Sequence, residues 1–339
     1  MDLEKVNASG DFSEVIAIIR EARENAYRKV NEELIMMYWH IGAYISRESA
    51  STAYGDKLVD SLAAFIAENY PELKGFNRRG LYRMRQFYET YHGNEIVSAL
   101  LTQLSWSNHL LILSGCKAME ERLFYMQMCI REKYSYRELQ RQIDSGYYER
   151  CMLSSKTISP AVAKFHEDTG NVFLDSYVLE FLDVPKAASE HDLKKSIIRN
   201  LKNFILELGK DFTFIGEEYR VQVGGHDYFL DLLFYHRGLS CLVAFELKIG
   251  EFKPEYLGKV NFYLEALDRE VKKPNENPSV GVILCAKKDD EVVEYALSRS
   301  LSPTMISEYT LKLIDKKLLQ DKLKEYLSLS ESSLEDDSE

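Results

Sequence analysis

An aspartate stands in the middle of the apolar run YFLDLLFY, and it limits what this chain can fold into. Asp231 is flanked by Leu230 and Leu232 in a segment whose composition reads as a strand. An unpaired carboxylate costs several kcal/mol to bury, so the fold must bring Asp231 a partner. The next strand-like run, CLVAFELKI, supplies Glu246 and Lys248, two positions apart and therefore on one strand face.

The connection between the two runs sharpens this. A turn centred between Gly238 and Leu239 pairs His236 with Cys241 and Tyr235 with Leu242, and that register carried along the ladder sets Asp231 opposite Glu246. Opposed residues of an antiparallel pair have Cβ atoms roughly 4.5–5.5 Å apart. Two carboxylates that close repel unless a proton or a cation lies between them. A divalent metal resolves the conflict. Hard oxygen ligands suit magnesium or manganese, and so few of them leave room for water and a substrate phosphate. Lys248, on the same face, would orient or deprotonate an attacking water or stabilise charge on a phosphoryl oxygen. The same spacing also fits a buried ion cluster of Asp231, Glu246 and Lys248 with no chemistry, and a bulge would separate the faces.

The surroundings fix the order of elements. Leu193, Ile197, Leu201, Phe204 and Leu208 predict a helix ended by Gly209; DFTFI, YRVQV, YFLDLLFY and CLVAFELKI are strand-like; Pro254 opens a helix; SVGVILCA is a buried strand; two helices follow. The first 150 residues are different and read as helices. Val15, Ile19, Ala22, Ala26, Val30, Leu34, Met37, Ile41 and Ile45 recur at threes and fours, predicting one long helix or two in series, with a face that could pair two copies as a homodimer. Asn77 caps a helix through about Tyr88, and Ser135 with Glu138 forms a capping box. The expected organisation is a helical domain at 11–150, a connector at 151–188, an α/β domain at 189–328 and a disordered acidic tail at 329–339.

The net charge of −11 argues against a protein that coats nucleic acid by bulk charge, but not against a local basic patch. One such patch holds Lys74, Arg78, Arg79, Arg83 and Arg85. Leu81, Met84 and Tyr88 should face the core, leaving Arg78, Arg79 and Arg85 outward, where they would contact DNA phosphates or form a plain solvated face. Arg137 and Arg141 make a weaker second patch. Five cysteines without CxxC spacing, an opening without a basic-then-apolar leader, and no apolar run near the ~18 residues of a membrane span suggest a cytoplasmic protein with free thiols. There is no GxSxG, P-loop, GxGxxG or HExxH. His236 reads as an exposed turn residue, and Trp106 as core rather than a base-stacking platform.

A carboxylate on one strand followed by Glu-x-Lys on the next, within helix–strand–strand–strand–helix–strand, resembles the PD-(D/E)XK nuclease superfamily. The block from Glu217 to Asp268 is similar to the catalytic block of its YhcG-like branch. RRGLYRMRQFYETY, QLSWSNHLLIL and YSYRELQRQIDSGYYER resemble that branch's N-terminal domain, so the likeness spans most of residues 15–310. The resemblance implies an α+β protein, with a winged-helix-like DNA-binding domain ahead of a restriction-endonuclease-like α/β domain. It implies a nuclease with Asp231 and Glu246 as metal ligands, Lys248 as the catalytic lysine, and a role in DNA repair or defence. Where related nucleases carry Gln-x-x-x-Tyr, this chain has Lys259, which would meet a DNA phosphate, and Tyr263, which would either meet DNA or pack in the core. Where many carry a metal-binding glutamate on the first helix of the domain, Lys194 stands; Glu190 and Asp192 are the nearest acids. The alternatives are a nuclease-fold scaffold that binds DNA with little or no catalysis, and an RNA-directed nuclease using the same site.

Overall fold

The computed structural model describes residues 13–51, 55–154, 172–185, 188–300 and 302–336. The chain divides into two compact units between Gln140 and Arg141.

The first unit is helical throughout its described residues, and no strand appears among them. Helix α1 (Ser13–Ser51) is continuous, followed by α2 (Gly55–Asn69), α3 (Arg78–Tyr91), α4 (Glu95–Leu100), α5 (Trp106–Gly115) and α6 (Met119–Glu132). Asn77 caps α3 as expected, its side chain accepting the Gly80 N–H. Ser135 and Glu138 form their box at the start of α7 (Tyr136–Asp144). α1 and α3 meet closely at Gly42: a Cβ there would lie 2.2 Å from the Met84 carbonyl oxygen, so only glycine admits this crossing. Around it Phe87 packs edge-on against Trp39, Tyr91, Trp106 and His109, which puts Trp106 in the core cluster.

The second unit is built on a six-stranded sheet in the order β1-β6-β5-β4-β3-β2. The strands are β1 (Ser176–Val178), β2 (Phe212–Val223), β3 (His226–His236), β4 (Cys241–Glu251), β5 (Val280–Lys287) and β6 (Thr304–Thr310). β2, β3 and β4 form an antiparallel meander, and β4, β5, β6 and β1 run parallel. The helices are α8 (Tyr147–Leu153), α9 (Glu190–Arg199), α10 (Leu201–Leu208), α11 (Tyr256–Glu270), α12 (Asp290–Leu297) and α13 (Lys316–Asp336). α11 lies against the sheet through Leu257, Val260, Tyr263, Leu264 and Leu267; a Cβ at Gly281 of β5 would meet Val260 at 2.4 Å.

Several expectations change. DFTFI and YRVQV are one strand, β2, with a register shift between Phe214 and Gly216. The predicted long helix before it breaks at Asn200 into α9 and α10. The segment read as a connector contains β1, which pairs with β6, a strand that the sequence did not reveal. The tail expected to be disordered from 329 continues α13 to Asp336, because extending an existing helix costs far less than nucleating one; residues 337–339 lie outside the described residues. His236 is buried rather than exposed. Its ring packs on Phe212 and its Nδ1 accepts the Leu239 N–H, so the turn folds over it. Arg141 is not part of a DNA-facing patch. It donates to Glu180, Glu207 and the Val178 carbonyl, while Arg150 holds the other oxygen of Glu207 at 2.7 Å. Glu207 is fully buried and also accepts the Val178 N–H, so one carboxylate fastens α8, α10 and β1.

Candidate active site

The hairpin forms in the expected register, from His236↔Cys241 to Leu232↔Phe245. The next pair would be Asp231 and Glu246. There the ladder ends and the Asp231 side chain takes over, its Oδ2 accepting the Leu247 N–H at 3.0 Å. Glu246 is almost wholly buried on the central strand β4, with Lys248 two residues on along the same face. Lys248 Nζ lies 2.9 Å from Glu246 Oε1 and also reaches both carboxylate oxygens of Glu190, at 3.1 and 3.2 Å. The structure thus brings Asp231, Glu246 and Lys248 together, with Glu190 on the far side of Lys248. Glu190 starts α9, where Ser189 and Asp192 form a capping box; Asp192 is committed to that cap.

Lys194, one turn further along α9, donates to Glu218 Oε1 at 2.7 Å and lies 3.5 Å from Asp231 Oδ1. Glu218 was not visible as a site residue from the sequence. It sits in β2 just after the register shift, at φ +45°, a left-handed conformation that is uncommon for a residue with a side chain. Gly216 beside it was the one available hint of an irregular strand. Lys259 and Tyr263 are one turn apart on α11, as their spacing requires. Lys259 Nζ is 2.6 Å from Glu246 Oε1, and Tyr263 is buried with its hydroxyl donating to the Phe229 carbonyl at 2.8 Å.

Four carboxylates and three lysines therefore alternate: Glu218–Lys194–Asp231, and Glu190–Lys248–Glu246–Lys259. Burial lowers the pKa of each lysine, but the paired carboxylates more than offset it, so all three lie above the ordinary lysine value. For Lys194 the partners are Glu218 and Asp231, for Lys248 Glu246 and Glu190, and for Lys259 Glu246. All three are ammonium cations in this state.

Among the described residues, no three histidine, cysteine, aspartate or glutamate side chains come together as a cation-holding group. The candidate donors at this place are the carboxylates of Asp231 and Glu246, with the Lys194 ammonium beside Asp231. Those two carboxylates are hard oxygen donors, and Glu246 Oε2 is buried with no hydrogen-bond partner. A buried acceptor of that kind is expensive to leave unmatched, and a hard divalent cation that keeps several waters matches it.

The basic helix α3 is less free than its sequence suggests. Arg79 is exposed, but Arg78 is paired with Asp60 and lies over the Tyr82 ring, and half-buried Arg85 is paired with Glu89 at 2.9 Å. Arg79 and Arg85, with Tyr82, Arg83 and Glu89, line a shallow groove of about 340 Å³.

Residues 170–324 match a family described as the YhcG PDDEXK nuclease domain, and residues 14–150 match the DUF1016 N-terminal domain. The "Putative nuclease YhcG" of Escherichia coli (strain K12) is 32% identical over 346 residues, covering 91% of this chain and 92% of that protein. The crystal structure of a repair endonuclease from Pyrococcus abyssi is similar over 37% of this chain and 48% of its own, at 15% identity and a TM-score of 0.26, too slight a likeness to carry weight. From its two domain matches and a relative alike over 91% of its length, this chain belongs to the YhcG family of PDDEXK nuclease-domain proteins.

Proposed function

We propose that this protein hydrolyses DNA phosphodiester bonds with magnesium or manganese. The observation that carries this is Glu246, a buried carboxylate with one oxygen unmatched, on the strand beside Asp231 and next to a charged lysine. Asp231 and Glu246 would hold the ion. When bound, it supplies Lewis-acid stabilisation of phosphoryl charge and a more acidic water. Lys248, fixed between Glu246 and Glu190, presents a cation to the developing charge on a phosphoryl oxygen. Arg79, with Arg78 and Arg85 once DNA phosphates compete for them, would position the duplex without reading its sequence. A cytoplasmic setting belongs to the same proposal and is supported by five cysteines, none of them in a disulfide. Pairing of two copies through α1 is supported by the exposed Val15, Ile19 and Val30.

The scaffold alternative is favoured by one observation, the Lys194 ammonium on Asp231 where a ligand acid would help. Incubation with linear, nicked, branched and single-stranded DNA, and with RNA, with and without manganese, separates the two. The nuclease reading expects metal-dependent cleavage of at least one DNA, abolished by Asp231→Asn. DNA binding without cleavage of any substrate would establish the scaffold, and cleavage of RNA alone would move the substrate.

A further inference from the structure

Glu246 is 2% exposed, yet in the proposed reaction it must meet a cation arriving from solvent. Its Oε1 already accepts from two ammonium groups, Lys248 and Lys259. The lysines of the site differ in how they are held. Lys248 has an 11% exposed side chain, sits against the Tyr256 ring and is fastened from behind by Glu190. Lys194, 10% exposed, is anchored on Glu218 beside Asp231. Lys259 has a 47% exposed side chain, leans over the Tyr263 ring and meets no carboxylate but Glu246 among the described residues. Of the three, it alone leaves its place by breaking a single ion pair, and its four-carbon stem lets the ammonium swing while the backbone stays on α11.

We propose, building on the metal-dependent nuclease reading, that Lys259 is a place-holding cation. Without metal it neutralises Glu246. When a divalent ion takes Glu246, the two cations repel, and Lys259 moves to a phosphate oxygen of the bound DNA. One side chain thus compensates a buried carboxylate before loading and adds a substrate contact after it. DNA and metal therefore bind cooperatively, because each removes a competitor of the other: the metal frees Lys259, and phosphate draws Lys259 off Glu246.

The test has two readouts that do not depend on turnover. Manganese is titrated calorimetrically into the full chain and into Lys259→Met and Lys259→Gln. Loss of the competitor should tighten manganese binding about tenfold, the ratio that corresponds to about 1.4 kcal/mol. The affinity for a short DNA duplex is then measured across a salt series, with calcium and with chelator. With calcium, the wild-type plot of log affinity against log salt should be steeper than that of the variants by about 0.9, one phosphate neutralised. With chelator, wild type and variants should share one slope, because Lys259 is then held on Glu246. Unchanged or weaker manganese binding by both variants would overturn the place-holder, as would a slope difference that is the same with and without metal. If wild type binds no manganese with or without DNA, the metal reading falls, and the place-holder with it.

Discussion

The two units of this protein bury polarity to different degrees. The helical unit closes around Phe87, Trp39, Trp106 and Tyr91, with a glycine letting two helices touch, and keeps Arg78 and Arg79 at its surface. The titratable group that it holds deepest is His109. The ring Nε2 is 2.8 Å from the Leu101 carbonyl and Nδ1 has no partner, an arrangement that suits the neutral imidazole. The helical unit also buries Glu121 and Glu132, the latter paired with Arg131, but the sheet unit shares single buried carboxylates between two cations: Glu207 between Arg141 and Arg150, and Glu246 between Lys248 and Lys259. A buried ion pair adds little net stability over an apolar core, but breaking one is costly. The sheet unit has thus accepted such a liability at both carboxylates, and it is to the one on β4 that we assign a chemical use.

Three perturbations sharpen the contrast. The largest is Glu207→Ala. It leaves Arg150 buried without its carboxylate and frees the Val178 N–H, so it should cost about 3–5 kcal/mol, read as a fall in the denaturation midpoint of the sheet unit. A loss under about 1 kcal/mol would mean that the network is relaxed or hydrated and would dissolve the distinction.

Acid should act on the other unit. Burial pushes the His109 pKa down to about 4 from 6.5. Between those values the unfolded chain takes up a proton that the folded chain refuses. The helical unit should therefore hold its full stability above about pH 6.5 and lose about 3 kcal/mol as the pH falls to 4. Both tryptophans, Trp39 and Trp106, lie in this unit, so denaturant unfolding followed by their fluorescence reports it alone. A flat profile from pH 7 to 4 would remove His109 from the account. The lysines of the site have raised pKa values, so their contribution is whole below about pH 10.5 and drains only above it.

The smallest effect belongs to the surface of α3. Replacing Arg78, Arg79 and Arg85 with alanine should leave the fold intact, since exposed pairs such as Arg78–Asp60 are screened by solvent and hold little of the fold. It should weaken DNA binding at low salt and flatten its salt dependence by roughly 0.9 for each phosphate that is no longer neutralised. An unchanged slope would make the helix a solvated face and move DNA recognition elsewhere.

What the sequence made legible follows from this contrast. Asp231, Glu246 and Lys248 stood out because charge inside an apolar strand is expensive, and the hairpin register followed from turn geometry and period two. Glu218 did not stand out, because an irregular strand and a left-handed backbone put it beside Lys194, and neither has a periodic signature. Strand β6 was hidden for a related reason. It buries Ser307, whose hydroxyl donates to the Leu174 carbonyl, so the run looks too polar for an inner strand. Arg141 read as part of a surface patch until the fold brought Glu207, far along the chain, between it and Arg150. His236 looked like a turn residue, and it is one, but the turn closes over its ring.

The central claim is that the cluster around Glu246 performs chemistry rather than merely closing a buried charge network. Lys248→Ala tests it most directly, with DNA cleavage in manganese and thermal melting measured on the same preparations. Lys259 still compensates Glu246 in this variant, so the melt should move little, while cleavage should fall about 10²–10⁴-fold with the loss of a positioned catalytic group. A steep fall in melting temperature, with no cleavage by the wild type to lose, would contradict the account and leave the cluster as structure.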